Sequence, residues 1–308
     1  MTDARTAAVL DGLALHRATG APALACMAGY RAVDGPRPGT TLGAAADAAG
    51  LAGPTDLAML VDLTAGAAIR ARIGGDRRLA TTALAVHLLG PLPPTEDLTV
   101  HVAEVVVHGR FAVAGTAVVA GGRELGHGSV AFTVLGDGLT PIPWERLDPT
   151  GTGATGMDPT GMDPTVAGPG TSPAEPLRED DLTSDEQDAL RHIRSEGVHS
   201  WSEAVVRGST TPGPDGPVLR PTGLLANRAG GVQGGVLVAL AVLAAGVPVV
   251  SGVLGSVQVD FVSAATVDAP VIARPQVLRE GRRSRLVRVD LVQGVTLVAT
   301  ATVGLRTG

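Results

Sequence analysis

A lone carboxylate and a paired-glycine helix start are the residues in this chain best suited to chemistry. The carboxylate is Asp62, set inside the apolar run Leu57-Ala-Met-Leu-Val-Asp62-Leu-Thr-Ala-Gly-Ala-Ala-Ile69. The glycines close the segment Asn227-Arg-Ala-Gly-Gly-Val-Gln233-Gly234-Gly235, which opens the apolar run Val236–Leu243. An ionised group in an apolar helix is costly to bury, and the first turn of a helix leaves backbone N–H groups without partners. Together the two stretches offer a proton acceptor and an oxyanion site. Asp47 and Asp56, by contrast, flank the start of the Asp62 helix and read as solvated carboxylates.

The elements that would position these groups follow from periodicity. In the first half a helical pattern at 7–18 leads to a strand-like segment at 23–33. A helix that Thr55 could cap then runs to about Arg72. Four β-rich segments follow, at 79–89, 98–107, 111–120 and 124–135, with turn signals at Gly109-Arg110 and Gly121-Gly122. The second half repeats the plan. Ser184-Asp-Glu-Gln187 resembles a capping box before a helix to about Ser195, and strands are expected at 200–207 and 218–225. A helix at 233–245 precedes strands near 249–262, 269–278, 284–292 and 296–305. Glu280-Gly281-Arg282 sits where His108-Gly109-Arg110 sits in the first half.

The plan predicts an α+β fold of two duplicated units, each a long buried helix wrapped by a curved antiparallel sheet. Residues 1–140 and 177–308 form the two domains. Between them, 141–176 is a Pro/Gly/Thr-rich linker in which Thr155-Gly-Met-Asp-Pro repeats; such composition buries too little apolar area to offset its ordering entropy. The two copies are expected to pair through a sheet edge as an intramolecular pseudo-dimer.

Composition narrows the function classes. The 308 residues are 44% apolar and 18% charged, which marks a globular chain. Aromatics make up 2%, so Val, Leu and Ala must build the core, and every one of the 24 basic residues is arginine. A net charge of −6 provides no footprint for nucleic acid and no attraction to a membrane surface. Cys26 is the single cysteine, so no internal disulfide forms. Asp11, His16 and Arg17 interrupt any N-terminal apolar core of an export signal, and a cytoplasmic location is expected. The uncharged stretch 229–259 is long enough to span a bilayer, but its seven glycines and Pro248 fit a buried helix followed by a strand. His87, His101, His108 and His127 fall on strand patterns without ligand spacing, so no metal is expected.

With these elements in place, the chain resembles the hotdog fold, in particular the PaaI-type acyl-CoA thioesterases of the Asn…His-Gly-Gly…Asp pattern. In that family one subunit supplies the Asn and the Gly-Gly helix start, and the other supplies the acid and a strand hydroxyl. The second half matches at Asn227, Gly234 and Gly235, with Gln233 in place of His and Val242 in place of the acid. The first half matches at Asp62, with Thr81 at the hydroxyl position and Gly53-Pro54-Thr55 in place of His-Gly-Gly. The resemblance implies one working site, where Asp62 and Thr81 meet Asn227, Gln233 and Gly234, and one decayed site.

It further implies hydrolysis of a small-molecule acyl-CoA thioester without a cofactor, coenzyme A being part of the substrate. Gly234 would polarise the carbonyl with Gly235 beside it, and Asp62 would act as base or nucleophile. Thr81 and Asn227 would orient water or substrate, and Gln233 would fix the glycine loop. Arg282 and Arg110, at matching turns, would contact coenzyme A phosphates. Each has a plainer reading: glycines for close packing, Asn227 as a turn former, arginines as solvated turns. Two other functions stay open, a hotdog that binds an acyl-CoA or apolar ligand without chemistry and, more remotely, an enoyl-thioester hydratase. A homodimer of the pseudo-dimeric chain is a further expectation. In the acyl-CoA thioesterase II family, also double hotdogs, the Asp, Thr and Gln occur in a different order along the chain.

Overall fold

The computed structural model describes residues 4–33, 39–42, 52–74, 76–92, 98–136, 177–195, 200–246 and 254–306. The expected linker at 141–176 lies outside these residues, as does Asp47. The N-terminal module comprises α1 (Ala4–Thr19), α2 (Ala23–Met27), β1 (Tyr30–Val33), β2 (Gly39–Leu42), α3 (Pro54–Ile73), β3 (Arg78–Leu88), β4 (Thr99–His108), β5 (Phe111–Ala120) and β6 (Arg123–Gly136). The C-terminal module comprises α4 (Ser184–Ser195), α5 (Trp201–Gly208), β7 (Thr210–Thr211), β8 (Val218–Leu219), α6 (Gly234–Ala244), β9 (Leu254–Phe261), β10 (Val271–Glu280), β11 (Ser284–Gln293) and β12 (Thr296–Arg306).

All twelve strands form one sheet in the order β1-β2-β4-β5-β6-β3-β9-β12-β11-β10-β8-β7. The order reads the same from either side of its centre: β3 and β9 are equivalent, and a meander of three strands follows each. At the seam these two strands pair antiparallel, from Ala83 opposite Asp260 to His87 opposite Ser256. The fold is therefore a tandem hotdog, each central helix held against its own half of a continuous curved sheet.

The central helices are specified locally and buried globally. Pro54 occupies the first position of α3, where a missing N–H costs nothing, and the Asp56 carboxylate accepts the Gly53 N–H at 2.8 Å. The helix ends at Gly74, whose φ of 113° suits only glycine. From Val236 to Val242 every residue of α6 is buried, so only an enclosing sheet could accept it. The two helices touch backbone to backbone. A methyl group on Gly235 would lie 2.8 Å from Met59 Sδ and 2.9 Å from Met59 Cα.

Four expectations need correcting. Residues 200–207 are not a strand but the helix α5, capped by Ser200 Oγ, which accepts the Glu203 N–H at 3.2 Å. Its β-branched pair Val205-Val206 suggests a strand, whereas Trp201, Ala204 and Val205 are buried at helical spacing. At 218–225 only Val218 and Leu219 are extended, and a 3₁₀ turn follows at Gly223–Leu225, after Pro221. The segment 23–33 divides into α2 and β1, with Gly29 at φ 68° between them. The capping box of α4 lies one residue earlier than expected: Thr183 N–H donates to Glu186 at 2.8 Å. Among the described residues no helix is long and apolar enough to cross a membrane; α6 stops at Ala244.

Candidate functional site

Asp62 sits two turns into α3, 8% exposed, on the side that meets the start of α6. Its Oδ1 accepts the hydroxyl of Thr81 on β3 at 3.0 Å, so helix and seam strand hold it from one side. The other module closes on it: the Gly235 backbone N–H offers a hydrogen bond to the carboxylate. A methyl group built on Gly234 would lie 3.2 Å from Asp62 Oδ2 and 3.5 Å from Thr81 Oγ1. The absent Cβ lets the start of α6 approach the acid this closely.

Burial pushes the Asp62 carboxyl above the usual carboxylate range. The Thr81 hydroxyl, the Gly235 N–H and the charge of Arg70 oppose this shift without cancelling it. The outcome is a carboxylate less stable than in water and correspondingly better at taking a proton.

At the α6 start, the Gln233 carbonyl accepts the N–H groups of Val236 (3.0 Å) and Leu237 (3.2 Å). With Gly235 directed to Asp62, the Gly234 N–H is the first-turn donor placed for a ligand. The Gln233 side chain is 3% exposed, and its Oε1 has no hydrogen-bond partner among the described residues. A buried amide oxygen left in that state is suited to a group supplied by a ligand. Asn227 has a different task. Its Oδ1 accepts the Ala229 N–H at 2.8 Å and the Gly231 N–H at 3.2 Å, shaping the loop that delivers Gln233.

Asp62, Thr81, Asn227, Gln233 and Gly234 all line one cleft of about 740 Å³ between the modules. Gly235 lies behind it, packed on Met59. The apolar lining comes from Leu63, Leu79, Phe132, Leu237 and Phe261. This space can hold an acyl chain whose carbonyl faces the α6 start, with the acid and an activated water beside it.

The arginines expected to read phosphates lie elsewhere. Arg110 lines a separate depression with Ile73 and Arg77, and Arg282 is exposed at the β10–β11 turn. Both occupy hairpin ends, which the sheet carries away from the seam. The cleft instead takes Arg70, Arg78 and Arg228. Asp62, Gly66 and Arg70 recur every four residues along α3, a spacing that by itself does not separate a cleft arginine from a solvated one.

The pseudo-equivalent position is filled. Thr55 donates to Glu203 of α5, and Asp56 accepts hydrogen bonds from Ser202 and from Tyr30 (2.7 Å). Asp56 is therefore fully buried and not solvated at a helix start. Ser200 and Ser202 are 3.0 Å apart, and Arg207 pairs with Glu203 at 2.7 Å. This polar plug covers the α3 start, whereas the α6 start borders the cleft. Val242, opposite in the duplication, is buried in α6. Among the described residues no group of His, Cys, Asp and Glu has the arrangement of a metal site. His87 and His127 pair at 5.6 Å between ring centroids, with both side chains exposed.

Residues 226–305, within the C-terminal module, match the family described as acyl-CoA thioesterase N-terminal domain. A module named for the N-terminal place thus stands second in this chain. No curated protein matches. Among solved structures, the chain is similar to a protein assigned as an oleoyl thioesterase from Lactobacillus plantarum, at 13% identity over 84% of this chain and 90% of that one, TM-score 0.49. It is also similar to an acyl-CoA thioesterase II from Mycobacterium marinum, at 14% identity over 84% and 91%, TM-score 0.43. A mutant of the phenylacetic acid degradation protein PaaI from Thermus thermophilus matches at 25% identity over 32% of this chain and 90% of that one, TM-score 0.27.

Proposed function

We propose that the chain hydrolyses an acyl-CoA thioester at one composite site, with Asp62 and Thr81 from the first module and Gly234, Gln233 and Asn227 from the second. The observation that carries this reading is the approach of Asp62 Oδ2 to within 3.2 Å of a Cβ position on Gly234. A carboxylate whose affinity for protons is raised therefore lies close to the positive end of a helix, and both border the same cleft.

The steps follow from these positions. The thioester carbonyl oxygen takes the Gly234 N–H, and the acyl chain lies along Leu63, Phe132 and Phe261. Asp62 accepts a proton from water held near Thr81 and the Gln233 amide, and the water oxygen bonds to the carbonyl carbon. The tetrahedral oxyanion is stabilised by the helix start more than the ground state is. Its collapse breaks the C–S bond, and the leaving thiolate recovers the proton from Asp62. Acid and thiol are released, and Asp62 is again a carboxylate. Base, donors and water suffice, so no cofactor is invoked.

The test is thiol release from a panel of acyl-CoAs by the wild-type chain and by Asp62→Asn. Loss of general-base assistance should cost about 10²–10⁴-fold in kcat. An unchanged rate would assign the chemistry to another group. Background hydrolysis by the wild type, with tight binding retained, would favour the non-catalytic acyl-CoA carrier that the substitution of Gln233 for His keeps in view.

A further inference from the structure

Among the described residues, the charged groups around the cleft are one acid, Asp62, and three arginines, Arg70, Arg78 and Arg228. A cleft with a positive excess in a chain of net charge −6 is an anion-binding feature. Thioester hydrolysis alone does not call for it, because the carbonyl is neutral and the developing oxyanion already has the α6 start.

Arg70 is the informative member. It stands on the same face of α3 as Asp62, with Gly66 midway between them. Its head folds back over that glycine: Nη1 lies 3.5 Å from where a Gly66 Cβ would be, and Phe132 Cζ lies 3.7 Å from the same point. The Nε donates to the Arg77 carbonyl at 3.3 Å, which restrains the guanidinium plane, and Arg70 is part of the cleft wall. Gly66 is one turn from Asp62, so the positive charge lies roughly one helical pitch, about 5.4 Å, beyond the acid. Burial, and then the nearby charge of Arg228, depress the Arg70 pKa, which is a strain that a bound anion would relieve.

We infer that the site acts on acyl groups that themselves end in a carboxylate, which Arg70 grips about one helical turn from the reacting carbonyl. The inference rests on the hydrolytic reading above and adds the substrate class. A bidentate guanidinium–carboxylate contact matches the planar fork of arginine. The phosphates of coenzyme A are the other anions in reach of this chemistry. The pantetheine arm, however, holds them more than a dozen bonds from the sulfur, too far for a charge one turn from the carbonyl. A chain of four to six carbons spans the interval and lays its methylenes on Leu63, Phe132 and Phe261.

The experiment compares adipoyl-CoA with hexanoyl-CoA, equal in carbon count and differing in the terminal charge. The wild-type chain should prefer adipoyl-CoA by at least tenfold in kcat/KM. Arg70→Gln should bring the ratio near one, chiefly through KM for adipoyl-CoA. The same pair as N-acetylcysteamine thioesters, which carry no phosphate, should retain the wild-type preference. A variant that weakens both CoA esters equally and spares both N-acetylcysteamine esters would assign Arg70 to a phosphate and overturn the inference. Equal wild-type turnover of both acyl groups would overturn it without touching the hydrolytic reading.

Binding of non-hydrolysable thioether analogues of the two CoA esters, by calorimetry, separates the claims in the other direction. A tenfold preference for the carboxylated analogue without any turnover would sink hydrolysis and keep the carboxylate site. No turnover and no preference would sink both.

Discussion

At the residue scale the account turns on the protonation of Asp62. Its folded pKa is raised, so between the ordinary carboxylate range and that raised value the native state binds more protons than the unfolded chain. Stability therefore falls as pH rises through that window, and at neutral pH the ionised Asp62 is a cost to folding. Asp62→Asn should melt higher than the wild type at pH 7, with the gain shrinking toward pH 4, while catalysis is lost. Thermal unfolding across that range checks the sign. As a base Asp62 must be deprotonated, so the acid limb of kcat/KM should lie above the ordinary carboxylate range. Thr81→Val removes a donor that lowers the Asp62 pKa. The limb should move to still higher pH, with kcat down roughly tenfold. Asp62 was legible in the sequence because a charge inside an apolar helical run has few structural uses. Arg70 was not, because an arginine in the last turn of a helix reads as solvated and suited to the dipole. Only the fold shows that the cleft follows α3 that far.

At the element scale the site depends on how closely two helices approach. Gly235→Ala would drive a methyl group against the Met59 backbone, and helix ends cannot yield as a side chain can. A loss of about 1–3 kcal/mol is expected by denaturant unfolding, with activity falling alongside. Gly234→Ala meets only side-chain atoms, Asp62 Oδ2 among them. It should lower kcat with a smaller effect on stability, and the contrast between the two glycines separates packing from chemistry. The long helices and the meanders were readable because period and turn residues agree over ten or more residues. The helix α5 was not: eight residues with adjacent valines satisfy a strand pattern equally well. The polar plug it brings to the α3 start was hidden with it, since the partners of a buried Asp56 include Tyr30 and, 146 positions away, Ser202. Asp56→Ala should cost about 1–3 kcal/mol for each hydrogen-bonding group it orphans, and should leave the cleft chemistry in place per folded molecule.

At the scale of the whole molecule, the modules share one sheet, helix contacts of which that between α3 and α6 is the closest described, and the network of Tyr30, Asp56 and Ser202. Units coupled this way should unfold together, giving one calorimetric transition whose van't Hoff and calorimetric enthalpies agree. Duplication was visible in the sequence as a repeated order of elements, but the seam was not. Strand partners depend on which edges remain after each helix is wrapped, and no local pattern encodes that. The match to a family described by the N-terminal position falls in the second module.

The most direct measurement is a crystal structure of the Asp62→Asn chain with a 2-oxoalkyl-CoA, a non-hydrolysable ketone analogue that keeps the carbonyl. The account predicts the ligand's carbonyl oxygen within hydrogen-bonding distance of the Gly234 N–H, with residue 62 on the opposite side of the same carbon. A ligand seated in another cavity, or one whose carbonyl contacts only a single module, would contradict it.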